Sequence, residues 1–192
     1  MNNVIILGAS GNIAKQVTEI LVENENLNLT LFLRNKARLG KADVSKANII
    51  EGDVLNLNQL KEAISGQDLV YANLAGDLES MAKNIVKAMT ENGVKKIIFI
   101  SSIGIYDTPL RPVLKPYRNA ADIFEASDLD YTILRPTWFT NANEVDYELT
   151  RKGEPEKGSV ISQKSIATFI TKIIESPDKY VRQNLGINKP NS

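Results

Sequence analysis

Gly8-Ala9-Ser10-Gly11-Asn12-Ile13-Ala14 stands between the apolar run Val4-Ile5-Ile6-Leu7 and a segment in which Ile13, Val17, Ile20 and Leu21 recur at helical spacing. The stretch therefore reads as the turn from a first strand into a first helix. Gly8 can turn the chain, Gly11 lets backbone approach a bulky anion, and the small Ala14 lets the helix start close to the sheet. The exposed N–H groups of the turn, with the positive end of the helix dipole, then suit a pyrophosphate, and Gly8, Ser10, Gly11, Asn12 and Ile13 are the cofactor-binding residues expected there. A glycine turn can also be purely structural, and Ala14 departs from an all-glycine fingerprint. The position after a first strand, at the head of a strand-helix-strand unit, favours the ligand.

The same alternation continues outward. Leu27 to Leu33 reads as a second strand, Asn48 to Glu51 as a third, Asn56 to Ile64 as a short helix and Asp68 to Ala72 as a fourth strand. Met81, Ile85 and Met89 mark the buried stripe of another helix, which the pair Asn92-Gly93 should stop. Lys96 to Ser101 is a fifth strand. The prolines at 109, 112 and 116 make Asp107 to Pro116 a loop, followed by a helix over about Tyr117 to Ser127 and a sixth strand, Tyr131 to Leu134, halted before Pro136. After a polar excursion over about residues 137–158 come a short strand at Ser159 to Ile161, a helix on Ile166, Phe169, Ile170 and Ile173, and a terminal strand or tail around Tyr180 to Ile187. Unbroken apolar strands alternating with helices predict an α/β fold: a Rossmann-like, doubly wound parallel sheet with helices on both faces in three layers. The expectation is one domain spanning residues 1–192.

Composition narrows the chemistry. Lys plus Arg and Asp plus Glu are 23 each, so no net charge draws the protein toward nucleic acid or an anionic membrane. No apolar stretch approaches the roughly 18 residues of a membrane span, and a soluble, cytoplasmic protein is expected. The chain has no Cys and no His, which excludes a disulfide framework, a Cys-ligated metal and a thiol nucleophile. No metal site is expected, and chemistry falls to Tyr, Ser, Asp, Glu, Lys or a bound cofactor.

Just beyond Leu33, where an NAD site normally carries an acid for the ribose hydroxyls, the sequence reads Arg34-Asn35-Lys36-Ala37-Arg38, and no acid occurs from Asn26 through Ala42. Arg34 suits a ribose 2′-phosphate, with Arg38 or Lys36 adding positive potential; solvated loop charge is the alternative. NADP(H) is therefore expected, with NAD(H) as the second option. Asp53-Val54 after the third strand can meet the adenine, and Asn73-Leu74-Ala75 after the fourth can border the nicotinamide ribose. Each also suits an ordinary turn or cap.

The glycine turn with Arg34, the segment Ser101-Ser102-Ile103-Gly104 and the run from Tyr117 through Leu134-Arg135-Pro136 resemble atypical short-chain dehydrogenase/reductases of the NAD(P)-binding, NmrA-like and biliverdin/flavin-reductase-like type. The resemblance covers nearly the whole chain. It implies NADP(H) as cofactor, Pro136 among the residues near it, and a substrate over the nicotinamide beside the ends of the fourth to sixth strands. It also implies catalytic roles for Ser101, Ser102 and Tyr117. The sequence departs from the family's Tyr with a Lys four residues on: Tyr117 is followed by Ala121 and Tyr106 by Leu110. Packing of Tyr117 at the start of its helix is the other reading of that residue.

The expected function is NADPH-dependent reduction of a flavin, quinone or related conjugated carbonyl, which asks mainly for stacking and orientation of two flat groups. Trp138 and Phe139 can border such an acceptor or belong to the core. The alternative is a non-catalytic NADP(H)-binding redox sensor or regulator of NmrA-like type; a nucleotide-sugar epimerase fits less well, since the Tyr/Lys pair is missing. A small-molecule acceptor is the expected partner, for a monomer or homodimer without nucleic-acid or membrane contact.

Overall fold

Successive residues of β1 (Asn2–Leu7) enter different cores: Val4 and Ile6 pack on one side of the sheet, Ile5 and Leu7 on the other. A strand buried on both faces must be covered on both, which is why its apolar run does not alternate. In this computed structural model, which describes residues 2–40 and 44–192, both covers are helical. On one face α1 (Asn12–Leu21) packs with α5 (Gln163–Glu175). On the other lie α2 (Leu57–Ile64), α3 (Leu78–Glu91) and α4 (Lys115–Glu125). The chain is thus a three-layer α/β Rossmann-like fold, as the alternation predicts.

The remaining strands are β2 (Leu27–Leu33), β3 (Asn48–Glu51), β4 (Leu69–Ala72), β5 (Lys96–Ile100), β6 (Asp130–Pro136), β7 (Trp138–Thr140), β8 (Glu148–Arg151), β9 (Val160–Ser162) and β10 (Gln183–Asn188). The main sheet has eight strands in the order β3-β2-β1-β4-β5-β6-β10-β8, and its pairings are parallel except for β10 with β8. β7 and β9 form a separate parallel pair. The strand order reverses at β1, between β2 and β4. In such sheets the crevice outside the strand ends at that reversal is the ligand position.

Local chemistry explains the helix ends. Asn56, Asp77 and Ser162 each accept a backbone N–H of the helix they precede. α3 stops at Asn92, followed by Gly93 at φ 71°. α1 is different: its N-cap is Gly11, and no side chain satisfies its first N–H groups. A helix start left open in this way is suited to an anion.

Several boundaries correct the sequence reading. α4 begins at Lys115 and contains Pro116, because proline in a first turn lacks only an N–H that the helix does not use. β6 runs through Pro136 rather than stopping before it: Pro136 lies level with Ile187 of β10, beyond the end of the β5 pairing at Leu134. The excursion at 137–158 contains two strands, β7 and β8, and the terminal segment is a strand inserted between β6 and β8. Ile20, one of the four apolar residues at helical spacing in α1, is 42% exposed, while Ile13, Val17 and Leu21 are buried. Lys41 and Ala42, the end of the acid-free stretch, lie outside the described residues, as does Met1. No described helix is long and apolar enough to cross a membrane.

Candidate active site

A cleft at the reversal is lined by Gly8, Ser10, Gly11, Arg34, Asp53, Val54, Asn73, Leu74 and Ala75. These are nine of the residues singled out from the sequence, brought together from the ends of β1, β2, β3 and β4. Phe32, Gly52 and Met81 also line it and were not expected. Gly52 carries a readable signal: it directly precedes Asp53 at a strand end. A side chain there would press within 2.6 Å of the Phe32 ring, so glycine lets the ring lie against the loop.

The glycines of the turn fit tightly around Asn73. Gly8 has φ 79°, and a Cβ there would overlap the Asn73 carbonyl. A Cβ on Gly11 would overlap the Asn73 side-chain amide. Asn73 thus braces the turn. Ile13 is buried in the core, so only its backbone can face an anion, whereas Asn12 is exposed at the helix start. The uncapped first turn of α1 is the observation with which a pyrophosphate fits.

Arg34 and Arg38 are both exposed and line the cleft beside the glycine turn. Among the described residues neither forms an ion pair. The nearby acid Glu51, at the end of β3, accepts the Lys36 N–H at 2.8 Å. Asp53 carries two roles at once: Oδ1 accepts the Leu55 N–H at 2.9 Å, closing a turn, while the residue also lines the cleft.

Ser101, Ser102, Tyr117 and Pro136 do not line this cleft; they cluster around the ends of β5 and β6. Ser101 is buried, and its Oγ reaches the Tyr117 carbonyl at 3.5 Å, so strand end and helix start are joined through backbone rather than through the phenol. Ser102 Oγ donates to the Ile103 carbonyl at 3.1 Å, and the Pro136 carbonyl accepts the Ile103 N–H at 3.0 Å. Tyr117 is partly buried against the core layer that holds α3 and α4. Trp138 and Phe139 are 70% and 51% exposed, and are therefore not core.

Tyr106 has no Lys four residues on, yet the fold brings it one. Lys152 Nζ lies 4.7 Å from the Tyr106 ring centre, with the Arg118 and Arg135 guanidinium carbons at 4.6 and 5.4 Å. The hydroxyl accepts from Asn184 Nδ2 at 2.7 Å and reaches Glu125 Oε1 at 3.5 Å. Burial and the Glu125 charge together hold this phenol above its ordinary range, against the opposing pull of Lys152 and Arg135. Its hydroxyl is taken up by Asn184 and Glu125. Arg135 entered the sequence reading only within the run Leu134-Arg135-Pro136, with no role of its own, and Glu156 was not singled out. Arg135 is a buried guanidinium on β6, and Glu156 of the excursion accepts from its Nε at 2.8 Å.

A model of a family described as NAD(P)H-binding matches residues 8–177 of the chain. Among solved structures, a Rossmann-fold NAD(P)-binding family protein from Shigella flexneri is 48% identical, with a TM-score of 0.93 covering 100% of this chain and 95% of that one. A short-chain dehydrogenase/reductase from Veillonella parvula DSM 2008, in complex with NADP, is 27% identical, with a TM-score of 0.89 covering 99% and 95%. Among curated proteins, Isoflavone reductase homolog A622 of Nicotiana tabacum is 23% identical over 92% of this chain; the chain spans 65% of that relative's length.

Proposed function

The chain belongs to the NAD(P)H-binding family whose model it matches, and on that premise we propose that it is an NADPH-dependent oxidoreductase reducing a flavin, a quinone or a related conjugated carbonyl. The observation that carries this reading is the shared cleft of the uncapped glycine turn with Arg34 and Arg38, neither of them ion-paired among the described residues. A guanidinium matches a phosphate dianion in shape and charge. The cofactor, when bound, supplies the hydride. The N–H groups of Ser10, Asn12 and Ile13 hold the pyrophosphate, since those of Gly8 and Gly11 donate to the Phe32 and Gly8 carbonyls at 2.9 and 3.0 Å; Arg34 holds the 2′-phosphate, and Asp53 with Val54 the adenine. Ser101 and Ser102 lie at the ends of β5 and β6, where an acceptor is to be oriented. The exposed Trp138 and Phe139, just beyond β6, support a flat, apolar acceptor that stacks rather than one fixed by many hydrogen bonds. A conjugated acceptor spreads the added electron density and can take its proton from solvent, so this reaction does not need the missing Tyr/Lys pair. In this reading the protein works in the cytoplasm.

The absent pair also supports a second reading, an NADP(H)-binding sensor without turnover. One assay separates the two: oxidation of NADPH and NADH followed by absorbance with FMN, FAD and a series of quinones. Acceptor-dependent oxidation above the protein-free rate, faster with NADPH, supports the reductase. Binding of NADPH without turnover of any acceptor supports the sensor and overturns the reductase.

A further inference from the structure

Glu156 belongs to no helix or strand, yet its carboxylate ties together three parts of the chain. Oε2 accepts the Gly104 N–H at 2.9 Å, and Oε1 accepts Arg135 Nε at 2.8 Å. The Arg135 side chain is 1% exposed and that of Glu156 21%. At its far end the guanidinium donates to Asn184 Oδ1. Arg135 stands on β6 and Asn184 on the neighbouring β10, so the guanidinium is fixed by the sheet, and the carboxylate is fixed by the guanidinium. The Gly104 amide is in this way tied through Glu156 and Arg135 to β6 and β10 of the main sheet.

That amide closes the segment Ser101-Ser102-Ile103-Gly104. Gly104 is buried with φ 78°, and a side chain there would come within 2.9 Å of Asp107 Oδ2. Its N–H direction is therefore set by a backbone conformation that only glycine holds comfortably. At the other end the segment is held by the Ser101 N–H on Leu134 and the Ile103 N–H on Pro136. Glu156 completes this set with a charged acceptor, which is a stronger partner for an amide than a carbonyl.

We propose that Glu156 is a positioning residue: it holds the Ser101–Gly104 segment in the geometry that the acceptor side of the site requires, without touching acceptor or cofactor. The proposal rests on the reductase reading given above. It assigns the excursion the role of a fixed buttress for the substrate segment.

Two measurements on the full chain test it. In hydrogen exchange followed by NMR, Glu156→Ala should accelerate exchange of the Gly104 amide by about tenfold or more relative to the β5 amides, with Glu156→Gln in between. Unchanged protection of Gly104 overturns the proposal, whatever the enzyme does. In steady-state oxidation of NADPH with FMN and 1,4-naphthoquinone, Glu156→Ala should lower kcat/KM for the acceptor about tenfold, Glu156→Gln by about threefold or less, and the NADPH dissociation constant should stay within about twofold in both. Equal losses in NADPH affinity and acceptor turnover overturn the positioning role. So does a loss that vanishes when the assay is run well below the variant's Tm. If the wild type turns over no acceptor, the reductase reading fails on its own, and the Gly104 exchange still decides whether Glu156 fixes the segment.

Discussion

The side-chain amide of Asn73 fills the space in which residue 11 would carry a Cβ, so the turn and the end of β4 interlock through a missing side chain. The consequences at Gly11 and Gly8 differ. At Gly11 the obstacle is the end of a side chain, which can move. At Gly8 it is the Asn73 carbonyl, and φ is 79° besides. Gly8→Ala should therefore destabilise by about 2–4 kcal/mol, and Gly11→Ala by about 1 kcal/mol. Urea unfolding of Gly11→Ala, Asn73→Ala and the double variant checks the interlock: the second substitution should relieve the first. Strict additivity would mean that Asn73 is not what demands glycine.

Arg34→Ala should weaken NADPH binding by about 10- to 100-fold while changing NADH by about twofold, because one charge-assisted contact to the 2′-phosphate is lost. Fluorescence titration of both cofactors at one ionic strength is the check. Parallel losses would move the 2′-phosphate elsewhere and leave Arg34 as surface charge.

For Tyr117→Phe the expected result is a kcat within about threefold of wild type, since no lysine stands four residues on and a conjugated acceptor can be protonated by solvent. A fall of roughly 10²-fold or more, with NADPH affinity unchanged, would instead make the hydroxyl a general acid. Turnover at saturating cofactor across pH 6–9 distinguishes the two.

The Tyr71 hydroxyl is fully buried in the sheet and has no hydrogen-bond partner among the described residues. Tyr71→Phe should accordingly raise the unfolding free energy by about 1 kcal/mol, measured in urea at pH 7. Burial pushes this phenol far above its ordinary range. A phenol raised in the fold contributes stability that is complete below the unfolded value of about 10 and is lost as pH climbs above it. The Tyr106 phenol, also raised, acts in the same direction. The wild type should lose Tm more steeply than Tyr71→Phe above pH 10. A destabilised Phe variant would show that the hydroxyl has a partner, and identical alkaline slopes would show that the fold does not raise this phenol.

The first half of the fold was legible because β1, β4 and β5 are buried on both faces and carry continuous apolar runs, and because β2, although broken by Asn28 and Thr30, is rich in branched and aromatic side chains. β8 was not: Glu148-Leu149-Thr150-Arg151 is a short strand at the sheet edge with charged ends, and an edge strand need satisfy only one neighbour. β7 was hidden by its exposed aromatics, which gave no alternation. In the cleft, Arg34 could be found by its distance from a strand end and by the absence of an acid. The bracing by Asn73 could not, because which side chain fills a glycine's space is a tertiary fact. Arg135 and Glu156 stand 21 residues apart. That the Arg135 guanidinium is interior follows from its cover by Tyr106 and by Glu156 of the excursion, which are tertiary contacts.

β8 pairs with β10 and with no other strand of the main sheet, although β10 follows it by more than thirty residues in the chain. Synthesis therefore delivers the edge strand well before the strand it must dock on. Until residues 183–188 arrive, β6 offers an open hydrogen-bonding rim, and the Arg135 guanidinium lacks its Asn184 acceptor. From β2 to β6, by contrast, each strand finds one neighbour already made: β2 meets β1, β3 meets β2, β4 meets β1, β5 meets β4 and β6 meets β5. Apart from β1, which starts the sheet, β8 alone among the main-sheet strands thus depends wholly on a strand made after it, and residues 183–188 close the rims of β6 and β8 together when they are threaded between them.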